Sequence, residues 1–360
     1  MKEYLSLLHD ILINGKDHEK DRTGHGRRRV FGRQVRFDLS DNKIPIVTTR
    51  KINPNVFIQE IFFFIRGKMF IDELKEAGVH IWDPWAVTRK TIEKDLEENP
   101  ASTEDTIDNV VAMYEDSIGP MYGFLWRHWP RNQQPDATSF AGFDRSTMAS
   151  DSIKDFLEAR SSLPEETQAQ IPEDMWLHLN SVVEVDQLND LIRNLKRDPY
   201  GSRHVVTAFN PEYTPLPGVS PDQNVLRGRG CLMPCHFAFQ VFVEPPDTEG
   251  EKPKLSLQMN IRSWDVLVGG PFNIAGYGLL AHLLAYSLDM DAKELVICSG
   301  DTHIYLDQIA QVQEQLRRRP LIPPTLRITS DTKDFFQLKP ENVEILDYEP
   351  YPPIKYPVAV

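Results

Sequence analysis

The apolar positions of residues 3–14 recur every three to four: Tyr4, Leu5, Leu7, Leu8, Ile11 and Leu12 would share one face of a helix. From residue 26 the period changes. In GRRRVFGRQVRFDLS, Val30, Phe31, Val35 and Phe37 stand between polar residues, as in a strand. NPNVFIQEIFFFIRG reads as a helix buried all round, with one acid, Glu60, in the middle. FIDELKEAG is a shorter helix stopped by Gly78. VDQLNDLIRNLKRDP is an amphipathic helix ended by its proline. Strands are expected at 204–210, 236–244 and 254–265, the last two joined as a hairpin by the turn-rich PDTEGEKPK. NIAGYGLLAHLLAYSLDM (273–290) is long and apolar enough to lie at the centre of the core. ELVICSGDTHIY is expected to pass from strand into a helix that continues through LDQIAQVQEQLRRRP. Antiparallel strands grouped around a few helices point to an α+β fold, one domain across residues 1–360. Two polar stretches, at about 87–117 and 131–182, read as loop-like surface insertions on that framework.

Composition narrows the function. The chain has 360 residues and a net charge of −13, with short arginine clusters only at GRRRV and QLRRRP. A nucleic-acid binder would want a broad basic surface, so that class is set aside; local arginines can still hold a small phosphate. Three cysteines, Cys231, Cys235 and Cys298, are too few and too irregular for a disulfide framework and point to a reducing compartment, the cytoplasm. No zinc-ligand spacing is present, so no metal is expected. No apolar run approaches 18 residues, and the acid-bearing N-terminus is unlike a signal peptide, so no membrane association is expected.

Several polar residues sit where a core offers them little. Glu60 lies among Phe57, Ile61, Phe62, Phe63 and Phe64, and a buried carboxylate is costly unless paired. Pro-Cys-His at 234–236 opens an otherwise apolar strand. Asn273 opens an apolar helix, where an ordinary N-cap is the plain alternative. Arg262 and Ser263 end a strand. Asp301, His303 and Tyr305 follow Gly300 at the expected strand-to-helix switch, where capping is the plain alternative. Together these residues supply a nucleophile, an acid–base carboxylate, an amide able to read a planar base edge, and arginines suited to phosphate.

Seven segments in one order carry a resemblance: DRTG (21–24), IWDPWA (81–86), GPMYGFLWRHW (119–129), MPCHFAFQ (233–240), RSWDVLVGGPFNIAGY (262–277), GDTHIY (300–305) and the terminal PVAV. The chain resembles the thymidylate synthase family from DRTG to its last residue, the two insertions apart. The resemblance implies a homodimer through a large mixed or antiparallel sheet packed by helices, with an active site shared between subunits. It implies dUMP as substrate and 5,10-methylenetetrahydrofolate as co-substrate. It makes Cys235 the nucleophile toward uracil C6, with Arg262 favouring its thiolate, and Glu60 the manager of proton transfers. Tyr122 is placed near the cysteine, Asn273 on the pyrimidine edge and Asp265 near the pterin. Arg22, Arg203, Arg262 and Ser263 would hold the phosphate; His303 and Tyr305 would hold the ribose hydroxyl. Trp82, Trp85, Gly269, Phe272 and Val360 would line or close the folate pocket.

The chain also departs from that family. The usual Tyr-Gln-Arg-Ser reads Asn260-Ile261-Arg262-Ser263, and the usual Ser-Arg-Arg reads Gly201-Ser202-Arg203. Leu125 replaces a glutamine and Gly276 a serine. The Asn-x-Arg-Ser form resembles phage pyrimidine hydroxymethylases, in which water captures the exocyclic methylene and the product is 5-hydroxymethyl-dUMP; the compartment is then the host cytoplasm. An inactive homologue acting as a binding protein is the third reading.

Overall fold

A computed structural model describes residues 1–19, 24–98, 107–130 and 184–357. Six strands form one mixed sheet in the order β1-β2-β8-β7-β6-β5. They are β1 (Lys16–His18), β2 (Arg27–Asp38), β5 (Val205–Thr207), β6 (His236–Glu244), β7 (Lys254–Asp265) and β8 (Asp291–Tyr305). Trp129–Pro130 (β3) and Glu184–Val185 (β4) pair separately, as do Thr325–Ile328 (β9) and Val343–Leu346 (β10). β6 and β7 form the expected antiparallel hairpin, with Phe239 opposite Met259. β7 and β8 run parallel, so the chain must cross over between them.

The crossover is the helix Gly270–Ser287, the central helix. It is apolar all round because it packs against β7, β8 and the helix Pro54–Ile65 at once. A Cβ at Gly278 would lie 2.7 Å from Pro45, so this helix touches its neighbour through backbone. The helix begins at Gly270, three residues before the expected start, because Pro271 suits a first turn. Asn273 is therefore inside the helix and is not its cap.

Helix Pro54–Ile65 starts where Asn53 accepts from the Asn55 amide (3.1 Å) with proline in the first turn, and Gly67 follows its end with φ +70°. Seven of its side chains are buried, so Glu60 is held half-buried on an apolar scaffold. Helix Lys2–Asn14 buries Tyr4, Leu7, Leu8 and Ile11 against β2 and its surroundings, at the spacing read from the sequence.

Three expectations change. The segment read as passing into a helix at Gly300 stays in β8 to Tyr305: a Cβ at Gly300 would lie 2.9 Å from the Arg262 carbonyl, so this glycine marks close approach of β7 and not an end. The 204–210 strand is confined to β5, residues 205–207. The polar stretch from 87 contains two helices, Arg89–Glu98 and Ile107–Tyr114, joined by an Arg89–Asp108 ion pair, with Arg89–Glu93 paired within the first. The second insertion, 131–182, lies outside the described residues. No described helix is long and apolar enough to cross a membrane.

Candidate active site

The start of β6 presents Cys235. Its backbone N–H donates to Tyr122 Oη (3.0 Å), and its carbonyl accepts from the Arg262 amide on β7 (2.8 Å). The half-buried Sγ lies 3.9 Å from Arg262 Nη2. Arg262 is itself fixed by the peptide that carries the cysteine: Nε donates to the Pro234 carbonyl (2.9 Å) and Nη2 to that of Met233 (2.7 Å). Sulfur and guanidinium are thus held as a unit, with positive charge positioned to stabilise a thiolate.

Tyr122 is held in the left-handed region at φ +34°, rare for a bulky residue. Its short helix, Tyr122–Arg127, presses so closely on helix Pro54–Ile65 that a Cβ at Gly123 would lie 2.2 Å from the Phe64 carbonyl. That contact puts the tyrosine ring beside Phe64 (5.1 Å), Trp82 (5.8 Å) and His236 (4.0 Å). Burial raises its hydroxyl far above the ordinary range, so it stays protonated.

Glu60 accepts from Trp82 Nε1 (3.0 Å). Burial pushes its carboxyl up to about 7, with the indole hydrogen bond opposing that rise. A carboxyl poised near neutrality can both give and take a proton.

At the far end of β7, Asp265 Oδ1 accepts from the backbone amides of Leu267 (3.0 Å) and Val268 (3.1 Å) and shapes the turn into the central helix. Burial raises its carboxyl, and those amides and His303 oppose the rise. Asn273 is half-buried one turn into that helix, its Oδ1 directed near Gly269, and its amide has no hydrogen-bond partner among the described residues. Phe272 is half-buried beside it. Register places Ser263 opposite Asp301, and Asp265 opposite His303. His303 is buried and packs edge-on to Tyr305 (5.7 Å).

The structure therefore gathers Cys235, Tyr122, Arg262, Glu60 and Trp82 at one cluster. Ser263, Asp265, His303, Tyr305 and the start of the central helix continue it along the sheet. Trp85 is half-buried in the short turn after Trp82. Arg203 is exposed and stands apart from the cluster. Arg22 and Val360 lie outside the described residues. A cavity of about 490 Å³ opens between Asn14, Lys16, His18, Arg29, Phe31 and Asp301, and the thiol does not line it. The other thiols are placed differently: Cys231 is buried, its Sγ facing Met121 Sδ and its ionisation opposed by burial, and Cys298 accepts from Gln34 Nε2 (3.3 Å). No group of three His, Cys, Asp or Glu among the described residues is arranged to hold a metal ion.

His236, given no role of its own in the sequence reading of Pro-Cys-His, joins the cluster, as do Tyr277 and Arg50, which that reading passed over. His236 lies under Tyr122 and bonds Tyr277 through Nδ1 (2.8 Å). Arg50 is buried beside Asp265, donating to the Leu267 carbonyl and lying over the Tyr356 ring (4.9 Å). Tyr277 had a readable signal, since it lies one helical turn from Asn273; Arg50 had none.

Comparison with known proteins gives a consistent assignment. A family model described as thymidylate synthase matches residues 2–360. Thymidylate synthases of Francisella tularensis subsp. holarctica, from strains FTNF002-00 / FTA, OSU18 and LVS, are each 33% identical over 360 residues, covering all of both chains.

Proposed function

We propose, from the premise that this chain belongs to the thymidylate synthase family, that it transfers the one-carbon unit of 5,10-methylenetetrahydrofolate to C5 of dUMP, giving dTMP and dihydrofolate. The observation that carries this reading is the Cys235–Arg262 unit, braced by Tyr122 and facing the interior that holds Glu60. Addition of the Cys235 thiolate to C6 would place negative charge on C5 and O4 of the uracil. Glu60, balanced near pH 7, would deliver and remove protons as that charge forms and C5 loses its hydrogen. The unpartnered amide of Asn273 offers a donor to O4 and an acceptor to N3–H together. Arg262 and Ser263 would serve the phosphate, with Arg22 and a partner subunit's copy of Arg203, and His303 and Tyr305 the ribose. Trp82, Trp85 and Phe272 offer apolar faces for a planar pterin. Asp265 would meet the pterin's polar edge, Gly269 would leave backbone room beside it, and Val360 would close the pocket.

A homodimer through the sheet belongs to the same reading. Phe31 on β2, Val205 on β5 and Phe242 on β6 are 83%, 52% and 57% exposed, a large apolar area for one chain to leave open.

A second reading, hydroxymethylation of dUMP with water in place of hydride, is favoured by one set of positions. Ile261, Leu125 and Gly276 are all buried, so apolar atoms stand where the family usually has glutamine, glutamine and serine. Altered solvent around the base would change which nucleophile captures the methylene. Retention of Cys235, Glu60, Asn273 and Arg262 argues against an inactive binding protein. Incubation with dUMP and 5,10-methylenetetrahydrofolate, followed by mass analysis, tests the reading: a methyl product with dihydrofolate is expected. A hydroxymethyl product with tetrahydrofolate would replace it with the second reading, and no product with either would leave the binding-protein reading.

A further inference from the structure

The GRRRV cluster places Arg29 in β2 directly opposite His303 in β8. The Arg29 side chain is partly exposed, but its guanidinium is engaged. It grips Asp301 with two parallel hydrogen bonds, Nε to Oδ1 at 2.9 Å and Nη2 to Oδ2 at 2.7 Å. Arg27 Nη1 stands 3.9 Å from the same carboxylate. Asp301 Oδ1 in turn lies 3.4 Å from His303 Nδ1. That nitrogen is buried, and 3.4 Å without alignment is an ion-pair distance and not yet a hydrogen bond. Catalytic and binding hydrogen bonds of this kind commonly tighten only when ligand arrives.

We propose that Arg29 and Asp301 are positioning residues: the Arg29-clamped carboxylate holds the Nδ1–H tautomer of His303, so that Nε2 is presented as an acceptor for the nucleotide's 3′-hydroxyl. The inference rests on the assignment of His303 to the ribose. Its chemistry is that of a fixed acceptor. A carboxylate can only accept, so the imidazole nitrogen facing it must carry the proton, which leaves the other nitrogen free to accept. Bidentate pairing with a planar guanidinium fixes the carboxylate plane, which a lysine or a single bond would not do. Burial alone would raise the Asp301 carboxyl; His303 and Arg29 outweigh it and hold the carboxyl well below its usual range, so the clamp stays ionised. The edge-on contact with Tyr305 restrains the ring further.

The test uses the full chain with Asp301→Asn and Arg29→Gln. Calorimetry would compare dUMP with 2′,3′-dideoxyuridine monophosphate, which lacks only the 3′-hydroxyl. The wild type should prefer dUMP; Asp301→Asn should cut that preference about tenfold, roughly the worth of one well-placed hydrogen bond. Affinity for the dideoxy nucleotide should hold, and kcat at saturating dUMP should change little, since binding and not the chemical step is affected. Arg29→Gln should act in the same direction. Nitrogen-15 shifts of His303 provide a readout without ligand: Nδ1–H in the wild type, and a redistributed tautomer in Asp301→Asn. Equal weakening of both nucleotides, or an unchanged tautomer, would overturn the proposal. A folded wild type that binds neither nucleotide yet shows the Nδ1–H shift change would instead remove the ribose assignment, and the positioning role with it.

Discussion

The His236 ring lies flat on the Tyr122 ring, centroids 4.0 Å apart and planes 17° from parallel. The residue after the proposed nucleophile thus supports the hydroxyl that accepts the nucleophile's own amide proton. Burial depresses the imidazole to about 3, so it is neutral through the working range, stacking and bonding Tyr277 without bringing charge near the thiol. This accounts for Pro-Cys-His at the head of a core strand: a nucleophile followed by its brace.

Tyr122→Phe tests that arrangement. It removes the acceptor of the Cys235 N–H and leaves a partly buried donor unpaired, which costs about 1–3 kcal/mol. Urea denaturation should show a loss in that range, with kcat reduced and dUMP affinity nearly unchanged. Wild-type stability and turnover would show that Tyr122 only fills space.

Glu60 makes stability depend on pH with a defined sign. Its folded carboxyl titrates at about 7, above the ordinary 4.5. Between these values the unfolded chain has released the proton that the folded chain still holds, so stability falls as pH rises through this window and is level above it. Glu60→Gln keeps an acceptor for Trp82 and removes the charge. The variant should match the wild type near pH 4 and exceed it above pH 7 by about 2–3 kcal/mol, while turnover falls sharply. Thermal melts across pH 4–8 measure this; a difference independent of pH would show that the site is solvated.

Cys235→Ser should abolish turnover and leave dUMP binding largely intact, because the proposed phosphate and base contacts lie on other residues. Cys231 and Cys298 should be replaceable by alanine with activity retained, apart from a stability loss at buried Cys231. Turnover by Cys235→Ser near the wild-type level would end the nucleophile assignment.

Much of this was readable before any coordinates. Glu60 was the one acid in an apolar run, and Pro-Cys-His had no comfortable packing explanation. Periodicity placed the main helices and the β6–β7 hairpin. Contacts between distant segments were not readable: Arg29 and Asp301 are 272 residues apart, and Cys235 and Tyr122 are 113 apart. Glycine misled once, since Gly300 permits close approach within a strand where the sequence suggested a break. The acidic stretch after 87 looked like loop because charged residues dominate it, although Ile92 is buried in the core and Leu96, Val110, Val111 and Tyr114 pack against it.

Asn273→Asp should shift preference from dUMP toward dCMP. The helix begins three residues earlier, so Asn273 has no capping duty to explain it. A carboxyl group can serve the cytosine amino group, where the amide suits uracil. The ratio of kcat/KM for the two nucleotides should move by orders of magnitude. An unchanged ratio would mean that another group reads the base.

Arg203 should serve the partner subunit's phosphate site, and strand register supplies the reason. Val205 pairs with Gln240, five residues along β6 from Cys235, a span of roughly 17 Å at strand rise. Arg203 lies beyond Val205, further still from the thiol of its own chain, and is exposed. His204 does not stand in for it, because its ring is buried with Nε2 bonded to the Asp198 carbonyl (2.9 Å). A nucleotide phosphate favours several charge-assisted hydrogen bonds, and this chain has one arginine where relatives usually bring two. Mixing Arg203→Ala subunits with Cys235→Ser subunits should therefore restore activity: one site of each heterodimer would hold an intact thiol and a partner's intact arginine. Native mass spectrometry would confirm exchange. Activity no higher than that of either parent, with exchange complete, would rule out the shared site and leave the phosphate to Arg22, Arg262 and Ser263 of the same chain.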